Sequence, residues 1–416
     1  MSNGNYYYIK TPNDLISVIS LWSSRGSSLD PKGKEGLSHY FEHLFFNKTA
    51  TLPNKIAVLR KIDGTGLFFN AYTRKNSVYY YFIQRAQDQE EAYKMLIQGL
   101  QEFSVDVKDV DREREVILNE QNQHVANPAV YVWSLADRGL WPNSPLSDSG
   151  LGTKSSLKSI TIDDILLFKD FLFAKENIGF LTISSLKISS SLENELIKLT
   201  TSSTTPQISS VDYMNTENSK KIICEHRPSN SVFLTISYPL PGLKDLMKDK
   251  LILDFIRNYL ASGWSSKLIE RLRLEKNYTY WVYGGIESFN EAGYFRISLS
   301  TTKKHIAEII SIVVEEIQKL QQEEMDEEQL IHHKNAMKAH LLKHYIQPEN
   351  MLWWYGWNTF LANRVITIGD YFDSIDNITS SEVQTSALKY LPIRNLHVAA
   401  LGNISENDLN FAVLGQ

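Results

Sequence analysis

One cysteine, Cys224, in 416 residues leaves no partner for an internal disulfide and excludes a four-cysteine zinc site. The chain has no run of about 18 apolar residues, so no membrane span is expected. Excess positive charge is missing as well. Lys and Arg number 43 against 48 Asp and Glu, a net charge of -5. That balance excludes a nucleic-acid protein held by bulk positive charge. The first residues, MSNGNYYYIKTPND, lack a basic stretch followed by an apolar one, so no secretory signal is expected and a cytoplasmic protein is. What remains is ordinary for a globular chain, with 43% hydrophobic and 22% charged residues. At about 100–200 residues per domain, the length implies two or three domains with substantial cores.

Strand and helix patterns are mixed in the first half. Leu15–Ser23 and Asn76–Ile83 are rich in β-branched and aromatic residues and read as strands. Gly36–Asn47 carries Leu37, Phe41, Leu44 and Phe45 at helical spacing, and Gln87–Phe103 and Asp109–His124 read as amphipathic helices. Asp63–Gly66 is a turn signal. Thr161 followed by Asp164 predicts a capping-box start for a helix through Phe173, and Ile178–Ser184 a strand. The small, polar stretch LTTSSTTPQISS has little to pack, which predicts a linker at residues 201–212 between domains at 1–200 and 213–416. The second half repeats the first. Thr161 and Asn177 are 16 apart, as are Thr379 and Asn395, and an apolar strand follows each pair. The offset of 218 (161 and 379) also carries Ala86–Phe103 onto Lys304–Gln321. Two units imply a duplicated pair of α/β domains rather than a solenoid.

The sharpest local feature is His39-Tyr40-Phe41-Glu42-His43, an H-x-x-E-H sequence. On a helix, positions i and i+4 share a face, so both imidazoles can reach one ion, with Glu42 beside them as a general base. This inverts the H-E-x-x-H zinc helix and is the inverzincin order. A catalytic zinc takes three protein ligands and keeps one open position, and His₂Glu is a common set. Glu120 in DREREVILNEQNQH, with 76 residues between it and His43, is assigned as the third ligand. Glu113 lies seven residues earlier on the same helix face, where its carboxylate can orient a ligand or assist turnover. His332, His333, His340 and His344 form a second cluster. No acid sits between His340 and His344, and the 218-residue offset puts Lys338 at the place of Glu120. These histidines therefore read as packing or surface residues, and the second domain as metal-free.

GLSHYFEHLFF, the later Asn70-Ala71-Tyr72-Thr73 and REREVILNE together resemble the pitrilysin/insulinase family of zinc peptidases, which includes the mitochondrial processing peptidases and small bacterial relatives. The similarity continues through Pro145–Thr153 and ENIGFLTIS and covers nearly the whole chain. In the second half, Arg273 and Tyr280 match the family's arginine and tyrosine seven apart that hold the substrate backbone. The sequence departs from the family at Leu274, where an acid is usual, in a shortened strand ahead of Leu15, and at Asp30, which displaces the usual acid of that turn.

The resemblance implies an α+β fold of two similar domains, each a mostly antiparallel sheet with helices packed on one face. It implies a zinc endopeptidase holding one Zn²⁺ per chain through His39, His43 and Glu120. Glu42 would be the base, assisted by Glu113, and Tyr280 would stabilise the oxyanion. The peptide substrate would bind Arg273 and Tyr280 and add as an extra strand along Asn70, Ala71, Tyr72 and Thr73. It also implies a homodimer, or a heterodimer with a related chain, enclosing unfolded peptides and serving precursor or leader-peptide processing. The alternative is a non-catalytic or partner-dependent subunit of a heterodimeric processing peptidase.

Overall fold

The computed structural model describes residues 5–201 and 219–409. The predicted linker, apart from Thr201, lies outside the described residues. The chain groups into two compact units: residues 1–122, 148–211 and 346–365 form the first, and 123–147, 212–345 and 366–416 the second.

The first unit holds β1 (Tyr6–Lys10), β2 (Ile16–Ser23), β3 (Phe68–Thr73), β4 (Val78–Arg85) and β5 (Ile178–Ser184) in the order β1-β5-β2-β4-β3. Only β1 and β5 run parallel; the other neighbours are antiparallel. The second unit holds β6 (Ile222–His226), β7 (Val232–Pro241), β8 (Val282–Ser288), β9 (Ala292–Thr301) and β10 (His397–Gly402) in the order β6-β10-β7-β9-β8. Again only one pair, β6 and β10, is parallel. The two sheets therefore have one topology, as the internal repeat predicts.

The register explains which face each sheet buries. Ile19 pairs with Phe82 and Thr182, and Leu21 with Tyr80 and Phe180. With period 2, these residues share one face. It packs against a helical layer that includes α1 (Leu37–Leu44) and α3 (Gln89–Gln101), with α2 (Lys55–Gly64) between them in sequence. The Tyr40 hydroxyl donates to the Val110 carbonyl and ties α1 to the long α4 (Val107–Ala126).

The predicted architecture holds for this layer, but each sheet also carries a helix on its other face. Trp22, fully buried, stacks on Trp353 (5.9 Å between ring centroids) and Phe360 (5.6 Å), so the helix Pro348–Gly356 and the turn after it cover the first sheet. A Cβ on Gly356 would lie 2.0 Å from the Trp22 ring, so only glycine lets the helix pass over it. In the second unit, α5 (Pro128–Leu140) takes the equivalent place. Trp133 donates to Ser298, and Asp137 pairs with the buried Arg296 at 2.6 Å. A single cut at the linker thus leaves 123–147 and 346–365 in the wrong units. Their apolar faces are satisfied by the other half's sheet, which local periodicity does not reveal.

Candidate metal centre

The centre is built from α1, α4 and β3 of the first unit. Leu37, Tyr40, Phe41 and Leu44 are the buried face of α1, which turns His39, Glu42 and His43 toward an open cleft of about 470 Å³. Gly36 begins the helix at φ 93°, and a Cβ there would meet the Leu151 carbonyl at 2.8 Å. Glycine has no side chain to cap the helix, and Asp30 does this instead. Its carboxylate accepts from Gly36 N (2.8 Å), Ser38 N (3.0 Å) and Ser38 Oγ (2.5 Å). Burial pushes the Asp30 carboxyl up to about 7 in spite of these donors.

His39 Nε2 lies 3.2 Å from His43 Nε2, and Glu120 Oε2 lies 3.5 Å from each. Zinc bonds of about 2.0–2.1 Å in tetrahedral geometry set ligand–ligand edges of about 3.3–3.4 Å. The three edges therefore fit one tetrahedral ion, and this is the group of potential ligands that converges within 4.8 Å among the described residues.

The surroundings tune each ligand. Glu113 is 2% exposed, and its Oε2 sits 3.4 Å from His43 Nδ1 and accepts from Lys55 Nζ at 3.0 Å. Arg112 Nε donates to the other oxygen at 3.3 Å. Burial opposes the Glu113 charge, but His43 and Lys55 overcome it and pull the carboxyl down to about 2. Burial likewise opposes charge on His43, yet Glu113 and Glu120 push it up to about 9. Burial and the neighbouring His43 ring lower His39. Among the described residues the buried His39 Nδ1 has no hydrogen-bond partner, an asymmetry with His43. Glu42 is raised, chiefly by burial, and accepts from Thr73 Oγ1 at 2.5 Å.

The cleft gathers His39, Glu42, His43, Glu120 and Asn70 through Thr73. Among the described residues strand β3 is the outer strand of its sheet and pairs only with β4, so its other backbone edge faces away from the sheet. Arg273 and Tyr280 belong to the second unit, where the Arg273 guanidinium lies 4.8 Å from the Tyr280 ring centroid. Sequence reasoning missed Lys55, because nothing local links it to a carboxylate 58 residues away. It recorded Asp30 only as a displaced acid and missed its capping role.

The histidine cluster of the second unit has other surroundings. His333 is buried edge-on to Tyr259, and His340 Nδ1 lies 3.3 Å from Asn258 Nδ2. The repeat offset is not constant. The long helices begin at Val107 and Glu327, and Pro128 and Pro348 open the helices after them. This offset of 220 places His340, rather than Lys338, opposite Glu120. The 218 offset fails here because loop lengths between the repeated elements differ.

This fold is that of the M16 peptidase family. Residues 6–154 match the family described as Insulinase (Peptidase family M16), and residues 159–337 match Peptidase M16 inactive domain. The chain belongs to the M16 family. It is 24% identical to an uncharacterized zinc protease of Rickettsia felis over 89% of each chain. It is 21% identical to mitochondrial-processing peptidase subunit beta of Mus musculus, over 93% of this chain and 80% of that one. The crystal structure of a peptidase M16 inactive domain from Pseudomonas fluorescens superposes with a TM-score of 0.84 at 15% identity, covering 97% of both chains. At that identity the likeness concerns the fold. No helix of the described residues is long and apolar enough to cross a membrane.

Proposed function

We propose that the chain is a zinc-dependent endopeptidase acting on unfolded peptides, with one Zn²⁺ held by His39, His43 and Glu120. The observation that carries this reading is the triangle of ligand atoms with edges of 3.2, 3.5 and 3.5 Å beside a buried carboxylate. When bound, zinc supplies a Lewis acid that acidifies water and polarises a carbonyl.

The remaining chemistry belongs to the chain. Glu42 takes a proton from the attacking water and delivers it to the leaving amide nitrogen. A carboxyl raised by burial suits this exchange, because base strength and release are then better balanced near neutral pH. Thr73 Oγ1 fixes the Glu42 carboxylate. Glu113 holds the His43 ring through Nδ1, leaving Nε2 toward the metal. An extended peptide pairs with the outer edge of β3 along Asn70–Thr73, which a folded substrate cannot do. Arg273 and Tyr280 donate to peptide carbonyls, and the Tyr280 hydroxyl to the developing oxyanion.

A two-chain assembly, with a second copy or a related chain, is part of this reading, as is a cytoplasmic role in precursor or leader-peptide processing. One observation favours a partner-dependent subunit instead: a relative across most of the chain is named as a subunit of a processing peptidase. Peptide cleavage by the purified chain alone separates the two. The proposal expects wild type to cleave and Glu42→Gln to keep its zinc while losing cleavage. Equal cleavage by both proteins refutes the role of Glu42.

A further inference from the structure

Trp264 stands out in the second unit because a large aromatic ring is left 72% exposed. Arg273 explains its position. The Arg273 guanidinium carbon lies 4.8 Å from the Trp264 ring centroid and 4.8 Å from that of Tyr280, which is itself 78% exposed. Both distances are within cation–π range. Among the described residues no carboxylate forms an ion pair with Arg273, and no hydrogen bond to its guanidinium is found. The adjacent side chain, Leu274, is exposed and apolar. Arg273 lines an open cleft of about 500 Å³ together with Leu274 and Tyr280.

An arginine on the surface ordinarily loses rotamer freedom when it binds, and an ion pair would hold it but also occupy its N–H groups. Two aromatic rings hold it differently. They attract the charge through ring quadrupoles and accept none of the in-plane N–H bonds. We infer that Trp264 is a positioning residue for peptide binding: its ring, with that of Tyr280, holds the Arg273 guanidinium in place while its N–H groups stay free for peptide carbonyl oxygens. This rests on the reading of Arg273 as a peptide-binding residue.

The test is direct binding of a fluorescein-labelled, unstructured oligopeptide to the full chain carrying Glu42→Gln, followed by anisotropy. Cleavage is removed from the readout. Trp264→Ala is expected to weaken binding about fivefold, the scale of an exposed cation–π contact. Trp264→Phe, which keeps a ring, is expected to bind nearly as the parent does. In the cleavage-competent chain Trp264→Ala should raise KM and leave kcat nearly unchanged. Arg273→Ala separates the layers of the argument. If Arg273→Ala weakens binding and Trp264→Ala does not, the positioning role is overturned. If Arg273→Ala binds as the parent does, the peptide-binding reading of Arg273 fails and takes the inference with it.

Discussion

Glu113→Gln probes the centre without touching a metal ligand or the base. The substitution keeps the shape of a side chain that is 2% exposed but replaces an anion with a neutral amide. Three cationic or protonated groups face it: His43 at 3.4 Å, Lys55 at 3.0 Å and Arg112 at 3.3 Å. Hydrogen bonds to charged groups contribute about 1.5–3 kcal/mol, and Lys55 and Arg112 are partly solvated, so a loss of about 2 kcal/mol is expected in the metal-free protein. For a unit of this size, that corresponds to a drop in Tm of roughly 4–8 °C. The His43 ring also loses the carboxylate that fixes its tautomer, and zinc affinity is expected to fall about 10–100-fold. Calorimetry of the metal-free chain gives the first number, and zinc titration against a competing chelator the second. Unchanged Tm together with unchanged zinc affinity would refute the argument that Glu113 organises the centre.

Further outcomes follow from the same geometry. Glu42→Gln should lower kcat by about 10²–10⁴ with zinc content intact, measured by peptide cleavage and elemental analysis. His39→Ala and His43→Ala should each lower zinc content, whereas His340→Ala should leave it unchanged. Asp30 has a folded pKa of about 7, above its unfolded value near 3.9. Between those values the folded state binds more protons, so its contribution to stability falls as pH rises from about 4 to about 7. Asp30→Asn should flatten this dependence, read as the difference between variant and wild-type urea unfolding at pH 5 and pH 7.5. Gly36→Ala should destabilise the first unit by at least 1 kcal/mol, because it adds left-handed strain to a clash with the Leu151 carbonyl.

Much of this was legible in the sequence for definite physical reasons. The strand Ile178–Ser184 and the capping box at Thr161 appear as the residue patterns predict, because caps and short apolar strands are specified locally. The H-x-x-E-H spacing predicts two imidazoles on one helix face, and the structure has them there. The duplication was visible in its spacing, and the common strand order confirms it. Other features depend on distant packing. Local periodicity shows that the helix Pro128–Leu140 is amphipathic, but not which sheet it covers. The Lys55–Glu113 pair spans 58 residues, and Trp353 reaches Trp22 from over 300 residues away in the chain. The fixed repeat offset misassigned the counterpart of Glu120 because it ignored loop-length changes between repeats.

The central claim is that His39, His43 and Glu120 share one ion. Zinc binding by the purified full chain, titrated against a chelating dye for wild type and Glu120→Ala, tests it most directly. The account predicts one equivalent of tightly bound zinc in wild type and a large loss of affinity in the variant. Equal affinity in the two proteins, or no zinc bound by wild type, would contradict it.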